Sequence, residues 1–275
     1  MTRLQSSTAG HAPTVGTRAP PRMSGPSPSA VIFAKEAREV LVNPRGRLWL
    51  LLLTGILSVF SLLFVANTEL SLLDNAQVVY DMMALITALG SLLALLSGVD
   101  AIAGERERGS LVPLLLAPVS RNGIVLGKLG APLAAWAAML ILAMPYLWAV
   151  GSSGQNLVSG AIALIVLGTP VVLGFGFLGL ALGAWLGSPR TALSVSLIVL
   201  VLSASPLLLG PSLRQSVIGR MFDAVNPFSG AINAYDAVVI DSQSLLTQGM
   251  HVLPVFVFLA LSLWLASTSV RALQR

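Results

Sequence analysis

The sequence predicts an all-α, polytopic membrane protein with six transmembrane helices. Hydrophobic residues make up 55% of the 275 positions and charged residues only 10%, whereas soluble domains carry about 25% charged residues. The apolar residues gather in six runs, each near the roughly 20 residues that a helix needs to cross the hydrocarbon. The charged residues lie mainly between the runs. This distribution predicts a chain whose main solvent is lipid.

The amino-terminal residues 1–30 predict a disordered cytoplasmic tail. They are rich in Ser, Thr, Pro and Gly and contain no acidic residue, which is typical of a segment that cannot bury a core. An organellar transit peptide and translation from Met23 are the alternative interpretations.

Residues 31–47 predict an amphipathic helix that leads into the first span. Phe33, Ala37, Val40 and Leu41 share one helical face. The remainder of the helix carries four charged residues, which are Lys35, Glu36, Arg38 and Glu39. Such a helix is expected to lie in the inner membrane interface with its apolar face down. The alternative is a cytosolic helix packed on protein.

Residues 48–275 form one predicted membrane domain. Its six spans are Leu48–Ala66, Met82–Ala103, Leu129–Val150, Leu157–Leu186, Ala192–Gly210 and Val252–Val270. The fourth span is longer than one crossing requires, and Pro170 with several glycines predicts a kink or a tilt there.

The distribution of basic residues predicts which side each loop occupies. With both termini inside, and without the distant tail arginines, the inner side holds 11 Lys and Arg residues and the outer side holds 2, Arg214 and Arg220. The positive-inside rule therefore places both termini in the cytoplasm, with the chain in the inner cell membrane. This asymmetry also accounts for the pI of about 10.4, so no nucleic-acid partner is expected.

The spans contain almost no ionisable residue. Asp100 is the exception, and it lies near the inner end of the second span. Ion-coupled transport and intramembrane proteolysis need such groups at membrane depth, so both are disfavoured. The chain also has no cysteine and only two histidines, and Gly123–Leu129 lacks the spacing of a phosphate loop. We expect no catalytic residue, no metal site and no cofactor bound by this chain. The substrate-binding residues cannot be assigned.

The loop between spans two and three holds most of the charge in the middle of the chain. Four residues of alternating sign precede a predicted turn and a short apolar helix. A helix too short to cross, flanked by charges, is suited to a groove on a cytosolic protein. An interfacial turn held by local salt bridges is the alternative. The predicted site residues are Glu105, Arg106, Glu107, Arg108, Gly109, Ser110, Leu111, Leu114, Leu115 and Leu116.

This loop resembles that of the permease subunits of ABC-2 type ATP-binding-cassette transporters. Besides the site residues other than Arg108, it shares Pro118, Val119, Ser120, Arg121, Gly127 and Lys128 with their pattern, and Lys35–Arg47 resembles their connecting helix. The resemblance implies a half-transporter whose loop is a coupling helix seated in a separate ATPase. Two permeases, identical or similar, would work with two cytosolic ATPases that hold ATP and Mg. The loop is most similar to permeases of multicopper-enzyme maturation, such as the nitrous-oxide-reductase accessory permease.

Two further patterns concern packing and the outer side. Gly179, Gly183 and Gly187 recur every four residues, which predicts a helix-packing face inside one subunit or between two. Pro211–His251 predicts two amphipathic helices, re-entrant or interfacial, that gate or only cap the outer side.

The predicted function is that of an exporting ABC-2 permease subunit that is not itself an enzyme. One alternative is a membrane scaffold that transmits ATPase motion to a periplasmic partner in metalloenzyme maturation. The other is a lipid-handling or channel protein that uses no ATPase. Copurification with a cytosolic ATPase would separate the last alternative from the other two.

Overall fold

The computed structural model describes residues 27–66, 75–116, 119–151, 156–205 and 216–272. All regular elements in these ranges are helical, which confirms the predicted all-α class. Residues 1–26 of the predicted tail lie outside the described residues. The α-helices are α1 (Pro28–Val42), α2 (Pro44–Ala66), α3 (Asn75–Val99), α4 (Glu105–Glu107), α5 (Leu111–Leu116), α6 (Arg121–Lys128), α7 (Gly130–Gly151), α8 (Leu157–Ala163), α9 (Thr169–Trp185), α10 (Pro189–Ala204), α11 (Val217–Val225), α12 (Pro227–Val239) and α13 (Gly249–Ala272).

In the described part of the chain, five helical stretches are long and apolar enough to cross a membrane. They are Pro44–Phe64, Ala76–Glu107, Asn122–Gly151, Leu157–Trp185 and Gly249–Ser269. They contain or overlap the predicted spans one to four and six, and they establish a multi-pass membrane protein. The predicted fifth span coincides with α10, which has 16 residues, and its last residues fall in the range 206–215 that the structure does not describe. The sixth crossing stays a prediction.

The loop between the second and third spans is continuous with both membrane helices. α3 passes through a π-helical segment, Asp100–Gly104, into α4, so that Ala76–Glu107 forms one stretch of 32 residues. At 1.5 Å per residue this stretch is about 48 Å long, well beyond the roughly 30 Å of hydrocarbon. On the other side of the loop, α6 leads into α7 in a stretch of 30 residues. The loop is therefore carried on the ends of two long helices.

The centre of the bundle is the contact between α3 and α9. A Cβ atom at Gly179 would lie 2.4 Å from the carbonyl oxygen of Leu95, and one at Gly183 would lie 3.0 Å from that of Val99. Only the missing side chains allow the two backbones to approach so closely. Gly187 lies beyond Trp185, the last residue of α9, and has open space around it. Two glycines of the predicted stripe thus pack inside one subunit, and the third takes no part in this contact.

α1 packs directly on α6 and α7. Ile32 is buried, and a Cβ atom at Gly127 would lie 2.5 Å from the Cβ of Ile32. Other apolar residues of α1, including Phe33 and Leu41, are exposed, so the helix has both a protein-facing and an outward apolar side. Asn43 is extended before Pro44, as expected for a residue that precedes proline. Residues 44–47 consequently belong to α2.

The connection predicted to lie on the outer side contains, in its described part, α11, α12 and a short 3₁₀ helix, Leu245–Thr247. α12 is buried, and the Tyr235 hydroxyl lies 3.1 Å from that of Thr87, halfway along α3. The ring of Phe228 lies 5.3 Å from that of Phe175, centroid to centroid. α11 has no buried residue and exposes its whole apolar side, which consists of Val217, Ile218, Met221, Phe222 and Val225.

Candidate functional site

Five charged residues meet at the end of the bundle where the loop between spans two and three lies. We call them the ionic cluster: Lys35, Glu36 and Glu39 from α1, Glu105 from α4 and Lys128 from α6. The Lys128 Nζ lies 2.7 Å from a Glu36 oxygen and 2.5 Å from Glu105 Oε2. The ammonium group of Lys35 donates to the other oxygen of Glu105. One carboxylate therefore bridges two lysines from different segments.

The ionic cluster is buried at its centre and open at one edge. The side chains of Glu36, Glu105 and Lys128 are each at most 2% exposed, whereas Lys35 and Glu39 are about half exposed and lie 3.5 Å apart. Among the described residues, Glu36, Glu105 and Lys128 are the only charged residues that are buried. Burying a charge is costly unless it is paired, so the pairing fixes the positions of α1, α4 and α6 relative to one another.

The ionic cluster shifts the pKa values of two side chains of α1, Glu36 and Lys35. Burial raises the pKa of Glu36 above its ordinary value, although the neighbouring Lys128 acts in the opposite direction. Burial lowers the pKa of Lys35, but the hydrogen bond to Glu105 and the nearby carboxylates outweigh burial and hold it above its ordinary value. Arg38, the remaining charge of the predicted set on α1, is exposed.

Arg106 faces the protein and not the solvent-exposed side of the loop. Its Nη1 donates to the carbonyl oxygen of Leu186 and its Nη2 to that of Ala184, both at 3.0 Å. The last carbonyls of a helix have no partner within that helix, and a basic side chain there also complements the helix dipole. Arg106 therefore ties α4 to the end of α9.

The remaining residues of the predicted site form the exposed part of the loop. Glu107 and Arg108 are exposed, and Arg108 lies 3.4 Å from Asp100. Gly109 follows with φ of 73°, a left-handed conformation that favours glycine. The amide of Ser110 donates to the Glu105 carbonyl at 3.0 Å, which closes the turn after α4.

α5 is attached by one side and exposed on the other. Leu111 is 6% exposed and packs in the cluster that contains Ile102 and Ile124. Val112 and Leu116 are 61% and 80% exposed. The side chains of Leu114 and Leu115 lie outside the described residues. The loop thus carries exposed apolar residues a few positions after the exposed charges of Glu107 and Arg108.

A known protein family matches most of the chain. A family model described as ABC-2 family transporter protein matches residues 30–271. The chain belongs to this family. No curated protein matches the chain significantly.

Membership defines the general role of the ABC-2 protein. It is the membrane permease component of an ABC transporter, and its partners are the membrane and an ABC ATPase. Within the described residues there is no group of three or more His, Asp or Glu side chains able to hold a metal ion.

The sequence pattern predicts one charged set, Glu105–Arg108, and indicates no role in the site for Lys128. The structure divides that set, because Glu105 and Arg106 contact the protein whereas Glu107 and Arg108 are exposed. A signal for Lys128 was present: a lysine directly before a long apolar span needs an acidic partner if it is buried. Its partners are 92 and 23 positions away in the sequence, and no local pattern identifies them.

Proposed function

We propose that the chain is the exporting permease subunit of an ABC-2 transporter and that a separate ATPase docks on the segment Glu107–Leu116. The observation that carries the proposal is the attachment of this segment. It is joined to α3 through α4 and to α7 through α6, and the ionic cluster joins both ends to α1. A displacement of α5 would therefore act on three membrane-associated helices at once.

The chemistry of the segment suits a protein groove. Val112 and Leu116 supply exposed apolar side chains, and apolar anchors provide most of the free energy in interfaces. Glu107 and Arg108 precede them in the same segment and would orient the partner, since exposed charges contribute more to orientation than to affinity. Glu105 and Arg106 would act indirectly, by holding the segment in place.

The complete transporter that we propose contains two permease subunits, identical or similar, and two cytosolic ATPases that hold ATP and Mg. The basic asymmetry of the loops supports an inner-membrane location with both termini in the cytoplasm. On the outer side, the contact between Tyr235 and Thr87 supports a re-entrant α12, because Thr87 lies near the middle of a predicted crossing helix.

The alternative function is a scaffold that transmits ATPase motion to a periplasmic partner without moving a substrate. One observation favours it: every buried charged side chain in the described residues belongs to the ionic cluster. Away from the ionic cluster, the buried polar side chains of the described spans, such as Thr87, Ser91 and Ser196, are uncharged. Substrate flux in liposomes containing the full complex separates the two functions, since a scaffold would hydrolyse ATP without transport.

The docking site is tested with Leu116→Asp. This side chain is exposed, so the change should leave folding intact while placing a charge in the apolar contact. We expect at least about tenfold less ATPase, identified by its peptides and by ATP hydrolysis, to copurify with the variant. Leu115→Asp should act in the same direction, and Glu107→Lys should act more mildly.

The matched control is Leu246→Asp, because Leu246 is 94% exposed on the proposed outer side. This variant should retain wild-type copurification. If Leu116→Asp and Leu115→Asp also retained it, the ATPase would not dock on α5 and the proposed site would be wrong. Binding lost equally in the Leu246 control would indicate an indirect effect of added charge and would count against the assignment as well.

A further inference from the structure

A cavity of about 230 Å³ lies beside the ionic cluster, between α1, the start of α2 and the end of α3. Its wall has a polar and an apolar part. Glu39, Arg45 and Asp100 line the polar part, and Trp49, Leu93 and Leu193 line the apolar part. The cavity therefore offers positively and negatively charged side chains next to an apolar wall.

The charges of this cavity are available to a ligand. Among the described residues, the ion pairs of Glu39 and Asp100 are long: Glu39 lies 3.5 Å from Lys35, and Asp100 lies 3.4 Å from Arg108. All four side chains are at least 40% exposed, and exposed pairs of this kind are worth at most about 1 kcal/mol. Arg45 is exposed, and its guanidinium has no ion-pair partner among the residues that the structure describes. Two carboxylates and one guanidinium can thus exchange weak contacts for contacts with a bound molecule.

The position of the cavity indicates where that molecule comes from. It lies at the first turns of α2, where the apolar stretch Pro44–Phe64 begins. Trp49 is 40% exposed there, and tryptophan is enriched at the boundary between hydrocarbon and head groups. The volume is below the roughly 300–1,000 Å³ of pockets for drug-sized ligands. It suits a head group whose hydrocarbon chains stay in the bilayer.

We propose that this cavity binds the head group of a zwitterionic aminophospholipid from the adjacent membrane leaflet. Arg45 would contact the phosphate, since guanidinium matches phosphate oxygens in a bidentate geometry. Glu39 and Asp100 would accept hydrogen bonds from the ammonium group, and Trp49 would contact the first part of the hydrocarbon chains. Phosphatidylglycerol, an anionic lipid without an amine, would leave both carboxylates without an ammonium partner. The proposal does not depend on transport or on the ATPase.

The test measures lipid binding to the delipidated, detergent-purified chain by native mass spectrometry. Phosphatidylethanolamine should bind at least about tenfold more tightly than phosphatidylglycerol, as expected for charged hydrogen bonds to the ammonium group. Arg45→Gln should weaken binding of both lipids. The double variant Glu39→Gln and Asp100→Asn should abolish the preference for phosphatidylethanolamine. Matched changes at exposed residues of the outer side, Arg220→Gln and Asp241→Asn, should alter neither.

Three results would overturn the proposal. Equal retention of both lipids by the wild-type chain would mean that they bind to the protein surface without selectivity for the head group. Preference for phosphatidylglycerol would mean an anion site at Arg45. Competition by water-soluble glycerophosphoethanolamine as strong as that by the diacyl lipid would mean a soluble ligand. The substituted side chains are exposed, so the variants should unfold at the wild-type temperature. A lower unfolding temperature would mean that a loss of binding comes from misfolding, and it would contradict the proposed roles.

Discussion

Replacement of Lys128 by Met tests whether the ionic cluster holds α1 and the loop together. Lys128 is 1% exposed, and its ammonium group contacts two carboxylates that are each 2% exposed. Met keeps much of the volume but leaves Glu36 with Lys35 at 3.7 Å as its nearest cation. Removal of one partner from a buried pair costs about 3–5 kcal/mol. For a chain of this size, that loss corresponds to about 6–20 °C in melting temperature.

The assay is thermal unfolding in detergent at one fixed heating rate, because apparent melting temperatures of irreversibly unfolding proteins depend on that rate. The second variant, Lys128→Met with Glu36→Gln, removes the uncompensated charge and leaves Lys35 paired with Glu105. It should recover about 2 kcal/mol, within the range of coupling found between contacting residues. Arg190→Met, at an exposed residue of α10, is the control and should change stability by at most about 0.5 kcal/mol. A melting temperature of Lys128→Met equal to the control, or no recovery in the double variant, would refute the reasoning.

Two further predictions concern helix packing and topology. Alanine at Gly179 should destabilise the fold by about 1–3 kcal/mol, because its Cβ would meet the Leu95 carbonyl. Alanine should have a smaller effect at Gly183 and almost none at Gly187. Equal effects at the three positions in thermal unfolding would contradict the α3–α9 contact. The chain has no cysteine, so single cysteines at Gly109 and Ser242 should react with membrane-impermeant maleimide from opposite sides, the cytoplasmic and the outer one respectively. Reaction of both from the same side would contradict the predicted topology.

The membrane helices could be predicted because hydrocarbon thickness imposes a minimum apolar length. The ends of these helices could not be predicted, because helical hydrogen bonding continues beyond the hydrocarbon. The second predicted span ended at Ala103, whereas the helical stretch continues to Glu107. Nothing in the local pattern marks the π-helical segment Asp100–Gly104. The predicted fifth span ran to Gly210, and α10 ends at Ala204, next to residues that the structure does not describe.

The candidate site could be predicted as a segment but not as a set of contacts. Alternating charges followed by a short apolar run drew attention to Glu105–Leu116. The functions of these charges differ because their partners come from distant segments: Lys35 for Glu105, and the end of α9 for Arg106. Charge sequence alone assigns the same property to Glu105 and Glu107, although only Glu107 is exposed. Tertiary structure is what separates them.

The choice of charged residues for the junction between α1 and the loop itself bears on function. A buried ion pair is seldom more stabilising than apolar residues of equal volume, so stability alone does not explain Glu36, Glu105 and Lys128. An ionic junction also favours one register, because a displaced charge would lose its partner. It can also open at lower cost when water reaches its charges, and the half-exposed Lys35 and Glu39 place one edge of the cluster at water. On the proposed function, force applied at α5 would therefore reach, at this cluster, a contact that can open. A variant that locks or removes the cluster should uncouple ATP hydrolysis from movement of the membrane helices even while the ATPase stays bound.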